Sequence, residues 1–184
     1  MDRTTAELLK MGALLDEQLR LDVDRTVRHA LEALGVEHER PAIGAFLAHL
    51  PEEARGDVPV WLVAGDHGLL VEAFFVRRPE EHRETVYGLL LARNARTAVV
   101  HFALDELGDV YLTGTLPLRA VDEQLVDRAL GQVLTHVSEA FTDCVELGFA
   151  GALSEERATW TADGAGRRPS GPRTVETPPA DRWR

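Results

Sequence analysis

Apolar residues recur at intervals of three and four through the first twenty positions: Leu8, Leu9, Met11, Leu14, Leu15 and Leu19. That spacing lines one side of an α-helix, so residues 4–20 are predicted as a short amphipathic helix. Val23, Val27, Ala30, Leu31 and Leu34 extend the pattern into a second helix, or into the far half of one kinked helix. Gly35 stands where a glycine commonly takes the left-handed conformation that ends a helix. Between Val36 and Leu50 the period is ambiguous, because Ile43, Phe46 and Leu47 fit a helical turn as well as a strand; a first strand is placed near Ala45–Leu50.

The centre of the chain changes period. Val60–Ala64 and Leu69–Val76 are rich in β-branched and aromatic residues and flank Gly65-Asp66-His67-Gly68, a loop suited to a hairpin. Residues 79–95 then read as a helix, with Pro79 in the first turn, Glu80 and Glu81 where the helix dipole favours anions, and Arg93 and Arg96 near the other end. It is expected to bury Val86, Tyr87, Leu89 and Leu90. Thr97–Leu104 and Asp109–Thr115 form a second predicted hairpin around Asp105-Glu106-Leu107-Gly108. The longest helical pattern follows, from Val121 through Cys144 and Val145, with Asp122 as its N-cap and Val121 positioned to staple against Val126.

These elements predict an α+β fold in the order α-β-β-β-α-β-β-α, an antiparallel sheet of about five strands with helices on one face. The strand at 69–76 is apolar on both faces. Leu70, Phe74 and Val76 alternate with Leu69, Val71, Ala73 and Phe75, and Glu72 is the only charge within it. A sheet covered on one side would leave the other apolar surface for an interface or a groove.

The 184 residues fit one core with modest extensions, and 45% apolar with 28% charged residues is ordinary for a globular chain. We divide the chain into an N-terminal helical extension (1–22), an α+β domain (23–152), a short polar segment (153–163) and a flexible Arg/Pro-rich tail (164–184), whose composition offers little to bury. A formal net charge of −11 disfavours nucleic acid as a partner. Lys10 is the only lysine, and Cys144 the only cysteine, so neither an intramolecular disulfide nor a multi-cysteine metal site can form. Neither a secretory leader nor a membrane span is indicated, and the cytoplasm is the expected location.

Candidate chemistry is sparse. His29, His38, His49, His67, His82, His101 and His136 show no metal-ligand spacing, and no metal or other cofactor is expected. Cys144 lies on the apolar stripe of the long helix, where a buried, inert thiol is expected. Ser138 and Ser154 lack a nucleophile elbow, and the adjacent pairs Glu80/Glu81 and Glu155/Glu156 point to different helix azimuths. No phosphate-binding glycine loop is present, so no catalytic residue is named and no enzyme is expected. Arg77, Arg78, Arg93 and Arg96 form the only basic grouping of the folded part. They could grip an anion if they met in one cleft, but a helix of about 17 residues spans roughly 25 Å, which sets the two pairs at opposite ends. The candidate partner- or ligand-binding residues are Arg77, Arg78, Arg93 and Asn94 around this helix, with Phe74 and Glu72 on the apolar strand.

Several blocks fall in a recognisable order: Arg77-Arg78-Pro79-Glu80-Glu81, Val86-Tyr87-x-Leu89-Leu90-x-x-Arg93-Asn94, Gly108-Asp109-Val110-Tyr111-Leu112, Leu116-Pro117-Leu118, Leu130-Gly131-Gln132-Val133-Leu134 and Glu146-Leu147-Gly148-Phe149. On these the chain, over roughly Val23–Ala152, resembles the YbjN family, particularly its actinobacterial-type members. The resemblance implies a type III secretion chaperone-like fold with helices over one sheet face, and homodimers, which are common among proteins of that fold. It also implies a protein-binding or chaperone-like role, under labels such as sensory transduction regulator, and brings no catalytic motif. The leading expectation is therefore a non-enzymatic module that binds a protein partner through an apolar sheet face or helix edge. The alternative is a small anionic-ligand sensor built on the arginines.

Overall fold

The computed structural model describes residues 3–151, with side chains from Leu14 onward, so the expectations for 153–163 and 164–184 lie outside the described residues. Helix α1 (Arg3–Ala33) is one continuous helix rather than two. The junction near Leu19–Val23 contains neither Gly nor Pro, so nothing interrupts the hydrogen-bond ladder, and α1 runs straight through the boundary placed at residue 22. It ends as expected at Gly35, with φ +66°. The Val36 and Gly35 N–H groups turn back to the Leu31 and Glu32 carbonyls at 3.0 and 3.1 Å, a pattern that satisfies the last carbonyls of the helix.

Six strands follow rather than five: β1 (Glu37–Ala42), β2 (Ala45–Glu52), β3 (Gly56–Ala64), β4 (Leu69–Val76), β5 (His101–Leu104) and β6 (Val110–Leu116). The additional strand, β1, reads Glu-His-Glu-Arg-Pro-Ala and is almost wholly exposed. Its strand conformation comes from pairing with β2 and not from its own pattern, and its charges and Pro41 suit an edge that should not recruit another strand. The sheet order is β1-β2-β3-β4-β6-β5, each neighbour antiparallel.

Helix α2 (Arg83–Asn94) begins four residues later than predicted. The Glu80 and Glu81 N–H groups donate to the Gly148 carbonyl at 2.9 and 3.1 Å, which holds the chain against the end of α3 (Glu123–Gly148) before His82, at φ +46°, turns it into the helix. Pro79 packs so near Gly148 that a Cβ there would lie 3.0 Å from the proline ring. Strand β5 is likewise shorter than predicted. The Gln132 Oε1 of α3 accepts from the Val99 and Val100 N–H groups at 3.0 and 3.2 Å, drawing that stretch out of the sheet. It crosses β6 at Gly114, where a Cβ would sit 2.2 Å from the Val99 carbonyl.

The expected Asp122 cap is present, its side chain accepting from the Leu125 N–H at 2.7 Å. One side of α3, from Val126 through Ala129, Val133, Val137, Ala140 and Cys144, is buried against the sheet residues Phe46, Ala48, Val60, Leu62, Val71, Phe75 and Leu112. Helix α1 adds Val23, Val27, Ala30 and Leu31, and α2 adds Val86 and Leu90. All three helices contribute to this single core on one face of the sheet.

Two polar residues, Asp24 and His136, are buried with it, and Asp24 braces it. Asp24, 4% exposed, accepts from the Arg40 Nε at 3.0 Å, the Arg40 Nη2 at 2.8 Å and the Gly44 N–H at 2.7 Å, which ties α1 to the β1–β2 hairpin. Removing the carboxylate frees both the guanidinium and a buried N–H, so Asp24→Ala is expected to cost about 3 kcal/mol in urea unfolding; a loss below the error of the measurement would refute this bracing role. His136 lies buried with its ring 5.1 Å from that of Phe102. Burial pushes its pKa below the ordinary imidazole value, with Glu139 opposing and Arg93 reinforcing the shift. The unfolded chain then takes up this proton first. The stabilising contribution is complete above the unfolded value of about 6.5 and is lost as pH falls through it towards the folded one. His136→Leu should therefore flatten the decline in unfolding free energy between neutral and mildly acidic pH; an unchanged slope would remove His136 as its source.

Candidate functional site

Strand alternation sends every second residue to the face that no helix of the described residues covers. One row crosses all six strands, Glu39-Leu47-Trp61-Glu72-Thr113-His101, each paired with its neighbour in register. A second row is Ala45-Val63-Leu70-Thr115, and Phe74 pairs with Tyr111 and Tyr111 with Ala103. Leu47, Trp61, Val63, Leu70, Phe74 and Tyr111 are half-buried, and none of them joins the core beneath the helices. They shield one another laterally: the Phe74 and Tyr111 rings meet edge to face, centroids 5.4 Å apart.

At the centre of this surface is Glu72, only 3% exposed, between Trp61 and Thr113 in its row and between Leu70 and Phe74 along its strand. Beside it the Trp61 Nε1–H is shut off from solvent and has no acceptor among the described residues. A buried donor left unpaired costs roughly 1–3 kcal/mol, a cost that a carbonyl brought by a ligand would remove. At the rim Arg55 lies 5.6 Å over the Phe74 ring and 5.4 Å over that of Phe141, and donates to the Phe75 carbonyl at 2.7 Å. Burial pulls its pKa below the usual guanidinium range, against the opposing pull of Asp57 and Glu52. It links this face to α3 around the end of β4.

Of the residues chosen from sequence, Phe74 and Glu72 lie on this face and the other four do not. Arg77 and Arg78 are exposed; the Arg78 backbone N–H donates to Asp109 Oδ1 at 2.8 Å, and its side chain runs along Gly108. Arg93 is at the far end of α2, where it donates to the Glu139 carboxylate at 2.8 Å and the Glu139 carbonyl at 2.6 Å. Asn94 acts as a piece of strand: its amide donates to the Phe102 carbonyl at 3.0 Å while its oxygen accepts from the Phe102 N–H at 2.7 Å. That two-point pairing occupies the outer edge of β5. A depression at the start of α2 is lined by Glu80, His82, Arg83, Glu84 and Thr85, and neither Arg77 nor Arg78 borders it. The arginines and Asn94 are thus not brought to one place.

Trp61 was not among the candidates, although the signal was there: in β3 it shares parity with Pro59 and Val63, opposite to Val58, Val60 and Leu62. The Cys144 thiol, buried in the core, has its pKa pushed up to about 11, chiefly by burial, with Arg93 opposing and Asp143 reinforcing. Among the described residues no group of three or more His, Cys, Asp or Glu side chains gathers to hold a metal, and no helix is long and apolar enough to cross a membrane.

Residues 24–146 match the model of the YbjN family, described as "Putative bacterial sensory transduction regulator". The "Uncharacterized protein Rv0487" of Mycobacterium tuberculosis is 42% identical over 139 residues, 73% of this chain and 76% of the relative. The "Uncharacterized protein ML2442" of Mycobacterium leprae is 38% identical over 135 residues, 71% and 73% of the two chains. Among solved structures, a chain of the HopA1–SchA chaperone–effector complex aligns over 67% of this chain and 95% of its own, with a TM-score of 0.49 and 15% identity. YbjN of E. coli aligns over 65% and 89%, with a TM-score of 0.47 and 20% identity. With the family model matched across the whole sheet, α2, nearly all of α3 and the last third of α1, this chain belongs to the YbjN family.

Proposed function

We propose that the chain is a non-enzymatic protein-interaction module, chaperone-like and regulatory, whose sheet face left uncovered by the helices of the described residues receives an apolar segment of another polypeptide. The observation that carries this reading is the set of half-buried apolar side chains around Trp61 and Phe74, which lies outside the core. Both routes for adding a strand to the sheet are discouraged, at β5 by the Asn94 pairing and at β1 by charge and Pro41. A partner is therefore expected on the face and not at an edge. The Trp61 indole supplies a donor for a backbone carbonyl, which gives the surface polarity as well as grease. The family description, a sensory transduction regulator, is compatible with a protein that acts by holding another. The reading includes a homodimeric state and a cytoplasmic location. A small-anion sensor has less support, because Arg93 is engaged by Glu139 and stands at the other end of α2 from Arg77 and Arg78.

A photo-cross-linking residue at position 61 should trap one discrete polypeptide in the native cell, and one at the exposed Leu91 of α2 should not. That polypeptide, once identified and purified, should bind the intact protein. Trp61→Ala should weaken binding about thirtyfold, ~2 kcal/mol, as loss of a central aromatic anchor does, with the circular dichroism unchanged. Arg77→Ala should leave the affinity as it was. Equal trapping from both positions, or an affinity indifferent to Trp61, would sink the proposal.

A further inference from the structure

Charge on the uncovered sheet face has one sign. Strand alternation turns Glu37, Glu39, Asp57 and Glu72 to this side with Trp61 and Phe74, and among the described residues of the six strands no lysine or arginine joins them. Asp57 holds His49 at 2.7 Å, and Arg55, in the turn between β2 and β3, is engaged by the Phe75 carbonyl. Glu37 and Glu39 are exposed on the outer strand β1. Within this negative border the Trp61 N–H is a closed-off donor without an acceptor among the described residues. A complementary partner therefore brings positive charge to the border and a carbonyl, not a further donor, to the centre.

An α-helix meets those demands poorly, because its interior carbonyls are already bonded to its own N–H groups. A lone extended strand has free carbonyls, but also N–H groups that an apolar face leaves unpaired and that the guarded sheet edges do not take up. A proline-rich segment in the polyproline II conformation has its carbonyls free and few N–H groups to leave unpaired. Its three-residue turn advances about 9 Å. Trp61 and Phe74 stand on neighbouring strands, two residues out of register, on a diagonal of about 7–8 Å. Phe74 in turn abuts Tyr111 on β6. Successive turns of such a segment can rest on Trp61 and on the Phe74–Tyr111 pair. We propose that the occupant of this face is a proline-rich segment of another polypeptide, flanked by arginine or lysine, that crosses β3, β4 and β6 diagonally. One of its main-chain carbonyls accepts from the Trp61 indole, whose half-buried ring turns outward to meet it, and a basic flank reaches Glu39.

This occupant rests on the sheet face being the binding surface, so peptides of two conformations are compared on the full chain. Fluorescence anisotropy would measure a labelled proline-rich peptide flanked by arginines, the same peptide flanked by glutamates, and an arginine-flanked amphipathic helix of equal length. The arginine-flanked proline peptide should bind about tenfold tighter than either of the others. Trp61→Phe keeps an aromatic ring and removes the N–H, and should weaken that binding about tenfold; Glu39→Lys should weaken it about threefold, with circular dichroism unchanged in both. In isotopically labelled protein, the indole proton resonance that Trp61→Phe deletes should move downfield as the peptide is added, as a donor that gains an acceptor does. Preferential binding of the helix, with the same dependence on Trp61, would overturn the proline-rich occupant and leave the sheet-face reading in place. Preference for the glutamate-flanked peptide, an affinity indifferent to Trp61→Phe, an unmoved indole resonance, or binding of none of the three peptides would also overturn it. The cross-link at position 61 then decides the sheet-face reading by itself.

Discussion

The packing of α3 across the inner face of the sheet is the interaction on which the other elements depend. Its stripe from Val126 to Cys144 fills the space above the central strands, and Phe141 meets Phe75 edge to face at 5.9 Å. The irregular parts of the chain are then fastened to the same helix. Gln132 holds residues 99 and 100, Glu139 holds Arg93 at the end of α2, Phe141 receives Arg55, and the Gly148 carbonyl stops the loop that precedes α2. Apolar burial supplies the bulk of the driving force. The polar fastenings decide where each connecting segment goes, because a buried N–H or guanidinium held by α3 has few other satisfactory positions.

Covering one face has a consequence for the other. The strands must be apolar inward to meet α3, yet they are also apolar outward at Leu47, Trp61, Val63, Leu70 and Phe74, which the stability of the helix-covered core does not require. A chain needing only to fold would be better served there by the alternating polar residues usual for a half-solvated antiparallel sheet. The edges point the same way. Asn94 spends its amide on the Phe102 backbone, and β1 is charged and carries Pro41, so lateral pairing is suppressed while the face remains apolar. A sheet guarded at its edges and left apolar on its face discriminates between two kinds of encounter, unwanted strand addition and contact through side chains.

Elements whose determinants are local were readable from the chain. Gly35 ends α1, Asp122 begins α3, and the β3–β4 and β5–β6 hairpins fall at their glycine-bearing loops. The differences arise where a distant residue decides. Glu-His-Glu-Arg-Pro-Ala carries no strand period and becomes β1 only because β2 offers its edge and Asp24 holds the Gly44 turn. Pro79-Glu80-Glu81 has the composition of a helix start, yet Gly148, far along the chain, takes the N–H groups that would have opened it. The site divides in the same way. Glu72 stood out as the lone charge in an apolar strand and Phe74 by its alternation, whereas Arg93 and Asn94 acquired their partners, Glu139 and Phe102, only through folding.

An apolar sheet face on a small protein raises the question of how it avoids indiscriminate association. The formal charge of −11 supplies a general repulsion between copies, which falls off within about 8 Å at physiological ionic strength. Close contact is therefore left to local complementarity. On the sheet face the Trp61 N–H has no acceptor among the described residues, so a featureless apolar segment leaves a polar group poorly served. Selectivity at the sheet face then rests on a polar group set in apolar ground, where misplacing it costs more than the surrounding contacts return.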